Sequence, residues 1–164
     1  MKSAIFITAR LKSKRLPFKV IKPILGRPMI EWMIERLKRC NVNPIVLMTS
    51  TNPQDDPLVE IAKKNKIEYF RGSEEDVLSR ILRAAEQGGA EIMVQGMADS
   101  PMVDWQIVDH LLKMLVDGGY DFASNELEKG FPIGFDARVF PYAVLKQVED
   151  LVMDPEHHEH ASLY

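Results

Sequence analysis

The sequence predicts an α/β fold with a largely parallel sheet covered by helices on both faces. Short aliphatic runs alternate with stretches whose apolar residues recur at helical spacing, the pattern of strands joined by crossover helices. The runs are apolar almost throughout instead of alternating with polar residues, as strands buried on both faces are. The loops that follow two of these runs carry charge of opposite sign, and a parallel sheet would bring them to one rim.

Ala4-Ile5-Phe6-Ile7 lies in the first run, Ser3–Thr8, read as a fully buried strand. The stretch from Ala9 to Lys19 follows, with Arg10, Lys12, Lys14, Arg15 and Lys19 supplying five cations in eleven residues. After a turn at Gly26-Arg27-Pro28, Ile30, Met33, Ile34 and Leu37 form a helical stripe, and Lys38 and Arg39 suit the negative end of its dipole. Residues 44–49 read as a second strand. A helix is expected over 57–65, with Asp56 as N-cap and Pro57 at the first helical position.

A short strand over 67–70 precedes Ser73-Glu74-Glu75-Asp76, where Ser73 is expected to cap a helix whose stripe is Val77, Leu78, Ile81, Leu82 and Ala85. Gly88-Gly89 ends it. A strand over 92–95 leads into Gly96-Met97-Ala98-Asp99-Ser100-Pro101. Asp104 then caps a helix that buries Ile107, Val108, Leu111, Leu112 and Leu115, and Gly118-Gly119 stops it. Strands over 120–124 and 135–140, a polar turn-rich segment over 125–134, and a helix over 141–153 complete the reading.

The chain has 164 residues, 46% of them hydrophobic, enough for one domain with a sizeable core. Its net charge of -3 makes the basic stretch local, which argues against a nucleic-acid-binding surface and for a small anionic ligand. Cys40 is the only cysteine, as expected in a reducing compartment. The N-terminal apolar run is shorter than a signal-peptide core or a membrane span. The expectation is a soluble, cytoplasmic protein with no membrane partner.

A cationic loop and a carboxylate on one rim are what a nucleoside triphosphate with Mg2+ requires. The plainer readings are a solvated charged face and an Asp99 that only forms a turn or cap. Trp32 and Trp105 fall on helices and read as packing residues, and His110 as a surface or boundary residue. His157, His158 and His160 lack the spacing of a helical zinc motif, which makes a transition-metal reading weak.

Arg10-x-x-Ser13-x-Arg15-Leu16-Pro17-x-Lys19 resembles the N-terminal signature of the sugar cytidylyltransferases, the group that includes acylneuraminate, 3-deoxy-manno-octulosonate and spore-coat polysaccharide enzymes. Gly26-Arg27-Pro28-Met29-Ile30-Glu31, Thr49-Ser50-Thr51 with Asp55-Asp56, Arg71-Gly72-Ser73-Glu74-Glu75-Asp76-Val77-Leu78-Ser79-Arg80, Asp99-Ser100-Pro101 and Ser124-Asn125 are similar to the spore-coat branch. The resemblance implies a Rossmann-like, three-layer nucleotidyltransferase fold with a mostly parallel sheet over a single domain, 1–164. It implies that Arg10 and Lys19 hold the phosphates of CTP and act in catalysis. Ser13 and Arg15 line the same loop, Arg71, Ser73 and Arg80 serve the cytidine side, and Asp99 binds Mg2+. For the segment around Ser73, the alternative is a helix-capping Ser73 and a surface Arg80.

The reaction implied is transfer of CMP from CTP to a sugar, an acidic or nine-carbon sugar by family, with release of pyrophosphate. Its setting would be nucleotide-sugar and polysaccharide biosynthesis. Another nucleotidyltransferase activity on the same fold, or a non-catalytic nucleotide-binding or assembly module, are the alternatives. A homodimer stays open.

On the sugar side the resemblance points to Asp136, Glu159 and His160. There the chain also departs from the pattern: Ile133 stands where an acid is usual, Arg138 where a glutamate is usual, and His158 where an arginine is usual. Lys12 and Phe18 stand where the loop often has glycine, and Ala98 where glycine often precedes the aspartate. The chain stops at Tyr164, which leaves open that it lacks the family's C-terminal segment.

Overall fold

The computed structural model describes residues 1–13, 15–126 and 130–151. Strand β1 (Ser3–Thr8) passes into the basic loop, which ends in a 3-10 turn (Lys19–Ile21) and a small hairpin of β2 (Pro23–Ile24) and β3 (Arg27–Pro28) before α1 (Met29–Leu37). Then β4 (Ile45–Ser50), α2 (Asp56–Lys64), β5 (Glu68–Gly72), α3 (Val77–Gly88), β6 (Ile92–Met97) and α4 (Trp105–Gly118) alternate. They are followed by β7 (Ala123–Ser124), β8 (Arg138–Pro141) and α5 (Tyr142–Leu151).

Six strands form one sheet in the order β5-β4-β1-β6-β8-β7. The first four run parallel, and β8 runs antiparallel to both β6 and β7. The chain steps outward from β1 to β4 and β5, then returns to β6 on the other side of β1. The carboxyl ends of β1 and β6 therefore lie side by side where the winding direction reverses, the place where sheets of this kind leave a crevice.

Alternation along the strands divides the core into two layers. Ile5 and Ile7 of β1, Ile45 and Leu47 of β4, Ile92 and Val94 of β6 and Val139 of β8 pack with α1, α2 and α4. Ala4, Phe6, Val46, Met48, Met93 and Phe140 pack on the opposite face with α3 and Leu145 of α5. The expected three-layer architecture is thus observed. Gly96 shows how closely α1 lies on the sheet, since a Cβ there would stand 2.5 Å from Met33 Cε.

The strand at Ser3–Thr8 and the helix after Pro28 follow the sequence reading, as do the Asp104 cap and the left-handed glycines Gly89 and Gly119 that end α3 and α4. Two caps differ. Asp56 is not the cap of α2 but its first residue, because the chain turns earlier, at a 3-10 turn (Pro53–Asp55) whose cap is the Asn52 side chain. Ser73 does not cap α3. Its Oγ accepts the Asp76 amide at 3.0 Å, shaping a turn, and Asp76 then caps the helix through the Ser79 amide. The strand expected over 120–124 is reduced to Ala123–Ser124, and that expected over 135–140 shifts to Arg138–Pro141, where it can pair with β6.

Candidate functional site

The basic loop is held by its backbone. Ala9 N donates to Met48 O at 3.0 Å, which extends the β1–β4 ladder past the strand end, and Ala98 N donates to Thr8 O at 3.1 Å on the other side. Leu11 is the pivot. Its side chain is fully buried, its amide donates to Asp55 Oδ1 at 2.8 Å, and its carbonyl accepts from both Ser13 N and Phe18 N. Asp55, itself buried, also accepts from Ser50 Oγ at 2.6 Å and Ser50 N at 3.3 Å, so one carboxylate ties the loop to the end of β4. The sequence carries no signal for this role beyond two adjacent aspartates in a polar loop.

Closing the loop on Leu11 forces Phe18 into the left-handed region at φ 59°, where a residue with a Cβ is strained by about 1–2 kcal/mol. That conformation explains why a glycine would suit position 18. Lys12 is accounted for differently. Its ammonium lies 3.1 Å from Glu74 Oε1, while Asn52 Nδ2 donates to Glu74 Oε2 at 3.1 Å. The hydrogen bonds from Asn52 and Lys12, with the charges of Lys12 and Arg10, hold the Glu74 carboxyl below its usual range. Lys12 is therefore a strap from the basic loop to the turn before α3.

Lys19 crosses the rim to the other loop and pairs with Asp99 Oδ2. The cation that ends the basic loop and the carboxylate after β6 thus meet, as the parallel sheet requires. Arg10 is exposed, and its charge is felt by both Glu74 and Arg80. Ser13 Oγ accepts the Leu16 amide at 3.4 Å, and Arg15 is exposed on the outer part of the loop.

Arg71 and Arg80, both expected on the cytidine side, have different surroundings. Arg71 is fully engaged: Nε donates to Ser50 O and NH2 to Asn52 O, each at 2.9 Å, and NH1 lies 2.8 Å from Asp56 Oδ1. It braces the loop after β4. Arg80 is 1% exposed, so the surface reading fails. One nitrogen donates to Ser73 O at 2.7 Å, while Nε and NH2 are buried without a partner. Burial first, and then the Arg10 charge, lower its pKa. Buried cations with unmade hydrogen bonds are costly, and an anionic or carbonyl-bearing ligand is what would satisfy them.

Asp136 lies next to the Asp99 turn, where its Oδ2 accepts from Ser100 Oγ at 3.1 Å and Gly134 N at 3.4 Å. Asn125 stitches the same segment, donating to Phe135 O at 3.0 Å and accepting the Ala137 amide at 2.9 Å. Ile133, which stands where the family pattern usually has an acid, is 98% exposed. Glu159, His160 and the other tail histidines lie outside the described residues. Trp32 packs under the Arg27 guanidinium, 4.4 Å from its ring centre, and gives its indole N–H to Ile24 O. Trp105 packs against the core, and His110 is exposed. A surface hollow beside His110, Lys113, Met114 and Tyr120 sits at the far end of α4 from the rim, among none of the candidate residues.

A family described as Cytidylyltransferase matches residues 4–150. The chain belongs to that family. It is accordingly an enzyme of the nucleotidyltransferase class, and its fold agrees. The structure of a cytidylyltransferase from Leptospira borgpetersenii superposes with a TM-score of 0.96 at 33% identity, covering 100% of this chain and 70% of the other. The spore coat polysaccharide biosynthesis protein SpsF of Bacillus subtilis is 27% identical over 96% of this chain and 67% of its own length. A 3-deoxy-manno-octulosonate cytidylyltransferase of Francisella tularensis is 29% identical over 76% of this chain and 50% of its own length. Among the described residues no helix is long and apolar enough to cross a membrane.

Proposed function

We propose that the protein transfers CMP from CTP to a hydroxyl of a sugar and releases pyrophosphate. The observation that carries this reading is the meeting of the basic loop and the Asp99 turn at the reversal point of the sheet, joined by the Lys19–Asp99 pair. In the reaction the sugar oxygen bonds to the α-phosphorus of CTP, the bond from that phosphorus to the bridging oxygen breaks, and the hydroxyl proton is lost. Negative charge moves to the departing pyrophosphate, so fixed cations contribute most of the catalysis.

Arg10, Arg15 and Lys19, with the Ser13 hydroxyl, would surround the phosphates. Arg80 would meet the nucleotide with the two nitrogens that lack partners, and Arg71 would act by keeping the 50–56 loop in place. Mg2+ fits the site in a limited way. Among the described residues no cluster of three metal-ligating side chains exists, but this cation is commonly held by one or two carboxylates with substrate phosphates. Asp99 would hold it, and the ion would supply charge neutralisation at the phosphates.

The family names make an acidic or nine-carbon sugar the first acceptor to try, and nucleotide-sugar supply for polysaccharide synthesis the matching setting. Thermal unfolding with each nucleoside triphosphate and Mg2+ tests the reading. CTP should raise the midpoint selectively, and pyrophosphate should appear when the acceptor is added. No shift with any nucleotide would overturn it.

A further inference from the structure

Lys12 stands in the basic loop between Arg10 and Ser13, yet it has no task in the phosphate site described above. Its backbone is fixed there, because the neighbouring Leu11 is pinned through its amide and carbonyl. Its ammonium, on a side chain 66% exposed, reaches across to Glu74 Oε1 at 3.1 Å. A lysine tip is a hydrated point charge on a flexible stem, and an exposed pair of this kind holds weakly. Lys12 is thus the movable half of the pair.

Glu74 is the fixed half. Its side chain is 22% exposed, and its second oxygen accepts from Asn52 Nδ2 at 3.1 Å. Asn52 is in turn held through its amide, which donates to Ser50 Oγ, and through its carbonyl, which accepts from Arg71. Three cations act on this one carboxylate or feel it: Lys12 in contact, and Arg10 and Arg80 through their charges. Burial and then the Arg10 charge press on the Arg80 guanidinium, while Asp55, Asp76 and Glu74 ease it. For the basic loop, Glu74 therefore takes the place of a bound anion.

We propose that Lys12 is a further phosphate-binding residue of this chain, and that Glu74 is the internal anion it leaves when a nucleoside triphosphate binds. Resting on the CMP-transfer reading, this adds a cation where the family loop often has glycine. A triphosphate brings several negative charges against the single charge of Glu74, so Lys12 moves to it while Asn52 keeps the carboxylate in place. When pyrophosphate leaves, Glu74 takes Lys12 back. Glu74 thus lowers affinity for the nucleotide and eases departure of the product.

Calorimetry on the intact protein tests this, with CTP and Mg2+, with pyrophosphate and Mg2+, and with cytidine. Glu74→Gln keeps an acceptor for Asn52 and should tighten CTP and pyrophosphate by roughly three- to tenfold, the gain shrinking as salt rises. Lys12→Ala should weaken both by a similar factor and leave cytidine, which has no phosphate, unchanged. A pair that only shaped the loop would give weaker binding in both variants, for cytidine as well as CTP. Glu75→Gln, at the next and exposed acid, should change CTP affinity by less than about twofold. If Glu74→Gln does not fold, Lys12→Ala at its exposed tip decides through the contrast of CTP with cytidine. CTP affinity unchanged or lowered in folded Glu74→Gln, or unchanged in Lys12→Ala, would overturn the proposal and leave the nucleotide reading standing. So would an equal loss of cytidine in Lys12→Ala, or an equal gain from Glu75→Gln. A wild type that binds no CTP would bring down the nucleotide reading, and this one with it.

Discussion

The two ends of the rim are built by different means. At the β1 end, main-chain groups set the geometry: Leu11 is pinned through its amide and carbonyl, and the charged tips of Lys12 and Lys19 merely rest on Glu74 and Asp99. At the β8 end, side chains hold side chains, as in the Arg138–Glu126 fork and the Ser100–Asp136 bond. A ligand can displace the tips at the first end without disturbing the frame. At the second end a single substitution removes one partner of a pair and exposes the group it held.

The largest expected effects fall on the tips of the first end. Lys19→Ala and Asp99→Ala should each lower turnover by roughly 10²–10³-fold, the loss typical of removing one pre-organised charge, with an unfolding midpoint close to wild type. Near-normal pyrophosphate release in either variant would mean the wrong groups had been chosen. Next comes the frame. Asp55→Ala leaves the Leu11 amide and the Ser50 hydroxyl buried without partners and should destabilise the protein by about 2–4 kcal/mol in denaturant titration. A loss below about 1 kcal/mol would show that the loop has other sufficient anchors.

Arg80→Met separates stability from binding. Removing a buried cation with unmade hydrogen bonds should leave the midpoint unchanged or higher, yet weaken CTP binding by roughly tenfold in calorimetry. Unchanged affinity would take Arg80 out of the nucleotide site. Phe18→Gly should stabilise by about 0.5–1 kcal/mol, the relief of left-handed strain less the added freedom of the unfolded glycine. Smallest is Lys12→Ala, an exposed pair worth under about 1 kcal/mol. Because the Glu74 carboxyl is held low in the folded state, this contribution is present above the ordinary carboxylate pKa of 4.5 and fades as pH falls through the folded value. A wild-type advantage that survives well below that pH would point to packing instead of charge.

Much of the frame was legible because its signals are local. The Ser3–Thr8 run, the Ile30–Leu37 stripe, the Asp104 cap and the glycines ending α3 and α4 each depend on neighbours a few residues away. So was the convergence of Lys19 with Asp99, since alternation implies a parallel sheet and a parallel sheet has one carboxyl rim. What could not be read were partnerships between distant residues. Nothing near Asp55 announces that it caps Leu11, 44 positions earlier. Arg80 looked like a surface residue at the edge of a helical stripe, and only the close approach of its Cγ to Gly72 on β5 shows why it is buried. The cap at Ser73 was misplaced because a hydroxyl before three acids fits a turn as well as a helix start, and it is the Asp76 side chain that takes the Ser79 amide. Arg138 read as a reversal of charge becomes intelligible only beside Glu126, two residues past the end of the neighbouring strand β7.

The Lys19–Asp99 pair has one more consequence. Each of these two charges already has a counter-ion, so an anion that takes Lys19 or a cation that takes Asp99 must first break the clasp. A ligand that arrives with both signs of charge can instead exchange partners with the two residues in one concerted step. The clasp thereby suits a ligand whose own charges are already paired.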